Sequence, residues 1–110
     1  MKPQLSPAIP SPVSYQGSPL VNEKEKTIQF HLKVRTASHV SLAGSFNQWS
    51  KTNLEMKHVT DDDWLIEIPM LPHGKYYYRF FIDDKMWMED IENPLREPDG
   101  TVGFYSVLTV

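Results

Sequence analysis

The stretch Thr27-Ile28-Gln29-Phe30-His31-Leu32-Lys33-Val34 decides the class of fold. Its apolar residues Ile28, Phe30, Leu32 and Val34 fall at every second position, with Gln29, His31 and Lys33 between them. Side chains alternate across a strand with a period of two, so this is a strand buried on one face. Working outward, the same signal recurs. Val40 and Leu42 alternate at the start of Val40 to Phe46, Leu54 and Met56 mark a short edge strand, and Trp64, Ile66 and Ile68 alternate before Pro69. Lys75 to Ile82 is a long run, with Tyr76, Tyr78, Phe80 and Ile82 on one face and Tyr77, Arg79 and Phe81 on the other. Met86 to Met88 and Tyr105 to Val110 complete the set. Asp61-Asp62-Asp63, Pro72-His73-Gly74 and Asp83-Asp84-Lys85 lie between runs and carry turn chemistry. No stretch sustains an apolar stripe at helical spacing. Short strands punctuated by turns predict an all-β chain folded as an antiparallel β-sandwich.

A chain of 110 residues holds one such domain. It is far too short for a (β/α)₈ barrel of about 250 residues. Hydrophobic residues at 40% and aromatics at 12% suffice for a packed core. The net charge of −3 and the lack of a dense basic patch argue against nucleic acid as a partner. With no cysteine, disulfide scaffolds, thiolate metal sites and cysteine nucleophiles are excluded. No apolar run reaches the ~18 residues of a membrane span. The first residues lack the apolar segment of a secretory signal. Together these point to a cytoplasmic protein that does not engage membranes. Five of the nine prolines, Pro3, Pro7, Pro10, Pro12 and Pro19, lie in the first 19 residues, interspersed with Ser6, Ser11, Ser14 and Ser18. That composition reads as a disordered or extended arm over residues 1–20, with a docking peptide or an added strand as the other readings. The folded domain is expected over residues 21–110.

The chemistry of catalysis is hard to find. A glycoside hydrolase needs two carboxylates about 5–9 Å apart across a cleft, whereas Asp61, Asp62, Asp63, Asp83, Asp84, Glu89, Asp90 and Glu92 cluster in turns and read as solvated. His31, His39, His58 and His73 show no spacing that suggests a metal site, and His31 falls on the polar face of its strand. There is no glycine-rich phosphate loop and no nucleophile elbow. No enzyme, metal or cofactor is expected. The informative residues are aromatic. Trp64 alternates with Ile66 and Ile68 and reads as core. Trp49 and Trp87 instead follow polar loops at strand ends, where a tryptophan marks a contact surface or caps the sandwich.

Four blocks carry a resemblance to a known family. The first is Val40-Ser-Leu-Ala-Gly-Ser-Phe-Asn-Gln-Trp49, and the second Leu71-Pro-His-Gly-Lys-Tyr-Tyr-Tyr-Arg-Phe-Phe-Ile-Asp83. The third is Trp87-Met-Glu-Asp90 with Asn93-Pro94, and the last Gly100-Thr-Val with Ser106-Val-Leu-Thr-Val110. In this order they resemble carbohydrate-binding module family 48, which includes the glycogen-binding domain of AMP-activated kinase β subunits and the N-terminal modules of branching enzymes and isoamylases. The resemblance covers about residues 25 to 110.

It implies an immunoglobulin-like, early-set β-sandwich that binds α-1,4-linked glucans such as glycogen and starch. Carried over by position, Trp49 and Trp87 stack on glucose rings, Arg79 replaces the family's usual lysine as the hydroxyl-bonding base, and Thr101 matches the threonine before the last strand. Tyr105 stands where the family usually has asparagine, offering a hydroxyl or a third platform. The residue chemistry agrees. A glucose ring has an apolar C–H face and a rim of hydroxyls, so aromatic platforms with a few donors suit it. Arg79 is on the outward face by alternation, and its planar fork spans two vicinal hydroxyls. The expectation is a non-catalytic α-glucan-binding module with roughly micromolar to millimolar affinity, about −8 to −4 kcal/mol. The alternative is a protein-interaction module of the same fold that has lost sugar binding, marked by an apolar patch of Tyr77, Phe81 and Tyr105. Such modules are usually appended to catalytic chains. A stand-alone module would leave chemistry to a partner, such as a glycogen-metabolising enzyme or a kinase.

Overall fold

The computed structural model describes residues 17–110. Residues 1–16 of the expected N-terminal arm lie outside the described residues. The elements run β1 (Leu20–Asn22), β2 (Thr27–Lys33), β3 (Val40–Gly44), a 3₁₀ turn (Ser45–Asn47), β4 (Lys57–His58), β5 (Asp63–Pro69), β6 (Lys75–Ile82), β7 (Met86–Met88), β8 (Arg96–Pro98) and β9 (Phe104–Thr109). All strand pairings are antiparallel. One sheet has the order β1-β2-β5-β4. The other has β3-β6-β9-β8, with β7 joined to β6. This is the antiparallel sandwich that the alternation led us to expect, in the immunoglobulin-like form that the resemblance implies.

The core forms where the apolar faces of the two sheets meet. Ile28, Phe30 and Leu32 from β2 and Trp64 and Ile68 from β5 pack against Val40 and Leu42 from β3, and Tyr78, Phe80 and Ile82 from β6. Phe30 meets Tyr78 edge-on at 4.9 Å between ring centroids, a favoured aromatic geometry. β6 organises the second sheet. It pairs with β3 along one edge through Tyr78 to Ile82, and along the other with β9 at Lys75 to Tyr78 and β7 at Phe80 to Ile82.

Three local features depart from the expected pattern. Leu54 to Met56 runs along β3 through Leu42 N to Leu54 O and Met56 N to Val40 O bonds of 2.9 and 2.8 Å, and the short strand itself is Lys57–His58, paired with β5. β1 and β8 are each three residues long, too short to show an alternation. Asp63, read as a turn residue, opens β5 and is buried, and so is His31 on the nominally polar face of β2. The imidazole bridges two carboxylates, Nε2 to Asp63 Oδ1 at 2.9 Å and Nδ1 to Glu92 Oε2 at 2.8 Å. The His31 amide also donates to Ser18 Oγ. Burial pushes the Asp63 carboxyl up, but hydrogen bonds from Thr60 and His31 and the charge of Lys33 outweigh it and hold the group below its ordinary value. Both ring nitrogens of His31 are spent in these bonds. Among the described residues, no group of three or more His, Cys, Asp or Glu is arranged to hold a metal ion.

Candidate functional site

Each predicted tryptophan is delivered by a built turn. After β3 the chain enters Gly44-Ser45-Phe46-Asn47-Gln48-Trp49. A Cβ on Gly44 would sit 2.5 Å from the Tyr77 carbonyl oxygen and 2.7 Å from the Phe46 ring, so only glycine lets the turn lie this close to β6. Ser45 Oγ accepts from the Tyr77 amide at 3.1 Å. Asn47 is buried, its Oδ1 accepting from the Gly44 amide and its Nδ2 donating to Asn53 Oδ1. Gln48 and Trp49 then both take left-handed backbone angles, with φ of 55° and 56°. That conformation is uncommon for a bulky residue and costs about 1–2 kcal/mol. Here the Trp49 N to Gly44 O bond of 2.9 Å closes the loop and fixes the direction of the indole.

Trp87 arrives by a hairpin. Asp83 and Asp84 supply positive φ at the turn, and Asp83 Oδ1 accepts from the Ser38 and His39 amides. The register then sets Trp87 opposite Phe81, whose ring lies 4.6 Å away. The chain beyond β7 is anchored inside. Tyr78 Oη donates to Asp90 Oδ2 at 2.7 Å, the Asp90 amide donates to Ser106 Oγ, and Asn93 Nδ2 donates to Tyr78 Oη and Val107 O. Burial pushes both the Tyr78 hydroxyl and the Asp90 carboxyl above their ordinary values. The Asp90 and Asn93 of the family-like motif are therefore structural ties that hold the Trp87 segment.

These elements bring Trp49, Arg79, Trp87 and Tyr105 to one open groove of about 340 Å³ on the outer face of the second sheet. Trp49 lies 6.2 Å from Trp87, with the rings at 75°, and 5.3 Å from Tyr105. Arg79 is opposite the position of Tyr105 across β6 and β9, and its guanidinium is 4.7 Å from the Tyr105 ring centroid. Two of its donors are already committed, Nε to Phe104 O at 3.0 Å and Nη2 to Asp99 Oδ2. The fork is thus taken up in part by the loop before β9, where Asp99 neutralises its charge. Thr101 does not join the groove. Its amide and hydroxyl both bond Asp99 Oδ1, and it lies in a neighbouring depression that shares Arg79 and Trp87. Hydrogen bonds from Thr101 and Arg79 hold the Asp99 carboxyl well below the usual carboxylate range.

Sequence reasoning missed Lys51, which lines the groove and carries its ammonium 5.2 Å from the Phe81 ring and 5.8 Å from that of Trp87. Its place two residues beyond Trp49 was the available signal. Phe81, by contrast, is buried beneath Trp87 and Lys51, so the apolar patch named for a protein interface reduces to Tyr77 and Tyr105.

Comparison with known proteins agrees with this architecture. The family described as the glycogen recognition site of AMP-activated protein kinase matches residues 25–108. The 5'-AMP-activated protein kinase subunit beta-1 of Homo sapiens and that of Bos taurus are each 39% identical over 56 residues, 51% of this chain and 19% of theirs. The corresponding subunit from Sus scrofa is 38% identical over 56 residues, 42% of its length. The match therefore spans less than half of each relative. A solved structure described as an alpha amylase from Salmonella typhimurium aligns over 76% of this chain and 13% of its own, with a TM-score of 0.58 at 18% identity. That likeness bears on the fold alone.

Proposed function

The chain belongs to the family of AMP-activated protein kinase glycogen recognition sites, and from that premise we propose that it is a non-catalytic module binding α-1,4-linked glucan by aromatic stacking. The observation that carries this reading is the convergence of Trp49, Trp87 and Tyr105, from three separate elements, on one solvent-open groove with Arg79 and Lys51. Glucose rings lie with their C–H faces on the indoles. Lys51 and the uncommitted part of the Arg79 fork bond hydroxyls. Tyr105 serves as a third platform, and Thr101 acts through Asp99 by holding Arg79 in place. An open groove with few donors binds weakly, in the micromolar to millimolar range of about −8 to −4 kcal/mol.

No helix among the described residues is long and apolar enough to cross a membrane, and a cytoplasmic location is part of the proposal. The relatives are named as kinase subunits, and a kinase or a glycogen-metabolising enzyme is the protein partner this reading implies. Calorimetry with maltoheptaose and co-sedimentation with glycogen test it. Wild type should bind, and Trp49→Ala should lose tenfold or more in affinity, about 1.4 kcal/mol. A folded wild type that ignores millimolar maltoheptaose sinks the proposal and leaves the protein-interaction reading.

A further inference from the structure

We propose that Tyr77 forms an additional glucan subsite beyond the groove, so that the site reads chain length. The inference rests on the α-glucan reading above. The outer face of the second sheet carries an unbroken series of rings: Phe81, Trp87, Trp49, Tyr105 and Tyr77. Successive centroids are separated by 4.6, 6.2, 5.3 and 5.2 Å. Each step falls within the range of about 4.5–7 Å over which aromatic surfaces meet as neighbours. Only the middle of this series lies in the groove. Tyr77 continues it past Tyr105 towards the opposite end of β6.

Core packing does not account for an aromatic side chain here. Tyr77 points away from the interior, on the same face as Arg79, and is only partly covered. Its ring is nevertheless held in place. Tyr77 Oη donates to Glu97 Oε1 at 2.8 Å, and Lys75 Nζ donates to Glu97 Oε2 at 2.5 Å while standing 5.8 Å from the Tyr77 ring centroid. A partly exposed ring immobilised before any ligand arrives spares the ordering cost of binding. Around it stand a carboxylate acceptor and an ammonium donor, both solvent-accessible. A platform edged by both hydrogen-bonding senses matches the two faces of a glucose unit, apolar C–H and hydroxyl rim. The chain that uses it must pass over Tyr105 from the groove, so its ligand is a longer α-glucan and not a short oligosaccharide.

The test is calorimetry across a ladder from maltotriose to maltoheptaose with wild type, Tyr77→Ala and Tyr77→Phe. Wild type should bind maltoheptaose about three- to tenfold more tightly than maltotriose once statistical repeats are accounted for, the gain expected of one aromatic stack. Tyr77→Ala should lose that gain while keeping maltotriose affinity, and Tyr77→Phe, which keeps the ring but not the bond to Glu97, should retain most of it. Equal wild-type affinity for short and long chains overturns the subsite and leaves the glucan reading standing. So does a length dependence that Tyr77→Ala leaves intact. Absence of binding to every member of the ladder removes the glucan reading, and the subsite with it. Maltotriose affinity in Tyr77→Ala also controls for folding, because a variant that fails to fold loses both ligands together.

Discussion

Trp87→Ala removes a ring that works on two sides, one facing the groove and the other covering Phe81. Trp87 leaves 39% of its surface exposed, so about three-fifths is covered, and Phe81 beneath it is only 7% exposed. An aromatic side chain buries roughly 150–250 Å² when fully covered. At ~25 cal/mol per Å², three-fifths of that is roughly 2–4 kcal/mol, an upper range because the unfolded chain already buries some of this surface. Lys51 also loses one of the two rings its ammonium faces. For a domain of this size, each kcal/mol lowers Tm by about 4–8 °C, so with that reduction a drop of about 5 °C or more is expected. The assay is calorimetric or circular-dichroism melting of wild type, Trp87→Ala and Trp87→Phe, with glucan binding measured well below each transition. Trp87→Phe should recover about half of the stability, because a smaller ring still shields Phe81. Trp87→Ala melting within about 2 °C of wild type would refute the reasoning, since it would mean that the indole covers nothing of consequence.

Other perturbations have equally definite outcomes. Tyr78→Phe leaves Asp90 Oδ2 without its donor and removes one partner of Asn93 inside the fold. A cost of about 1–3 kcal/mol in urea unfolding is expected, and a neutral result would show that water fills the gap. Gly44→Ala forces a Cβ against the Tyr77 carbonyl, so it should destabilise by about 1–3 kcal/mol and weaken glucan binding through a displaced Trp49. Unchanged stability and affinity would contradict the close approach. Asp99 has a depressed folded-state value, caused by hydrogen bonds from Thr101 and Arg79. Its contribution to stability is therefore present above the unfolded carboxylate range near ~3.9 and is lost as the pH falls through the lower folded value. Carboxyl NMR titration should find Asp99 still ionised at about pH 3, and Thr101→Val should move its titration up towards ~3.9; an ordinary titration in wild type would contradict the geometry.

The longer strands were legible because each buries one face, and a period of two in apolar residues survives in the sequence. Asp63 and His31 were not legible as buried residues for the same reason. Alternation says which face is polar, but a polar face is read as solvated, and only the arrival of Glu92 from the loop after β7 and of Ser18 beside β2 covers it. β1 and β8 escaped because three residues are too few to carry a period. Of the site, the two tryptophans and the outward placement of Arg79 were readable, from loop position and from alternation on β6. Lys51 lay in a polar loop among other polar residues, and its place two residues beyond Trp49 was the one local signal.

Local sequence thus determined the strand class, the turn at Asp83 to Asp84, and the presence of aromatic platforms, since those follow from backbone sterics and side-chain periodicity within a few residues. The strand expected to reach Phe46 ends at Gly44, where the close approach to β6 starts a 3₁₀ turn. Which platforms meet was decided by tertiary pairing. The β6–β9 register sets Tyr105 opposite Arg79, and the β6–β7 hairpin lays Trp87 over Phe81. The same pairing brings Asp99 to Arg79 and so turns part of the arginine fork away from the groove. These contacts join residues 6 to 26 positions apart in the chain, and their geometry exists only once the two sheets have closed on a common core.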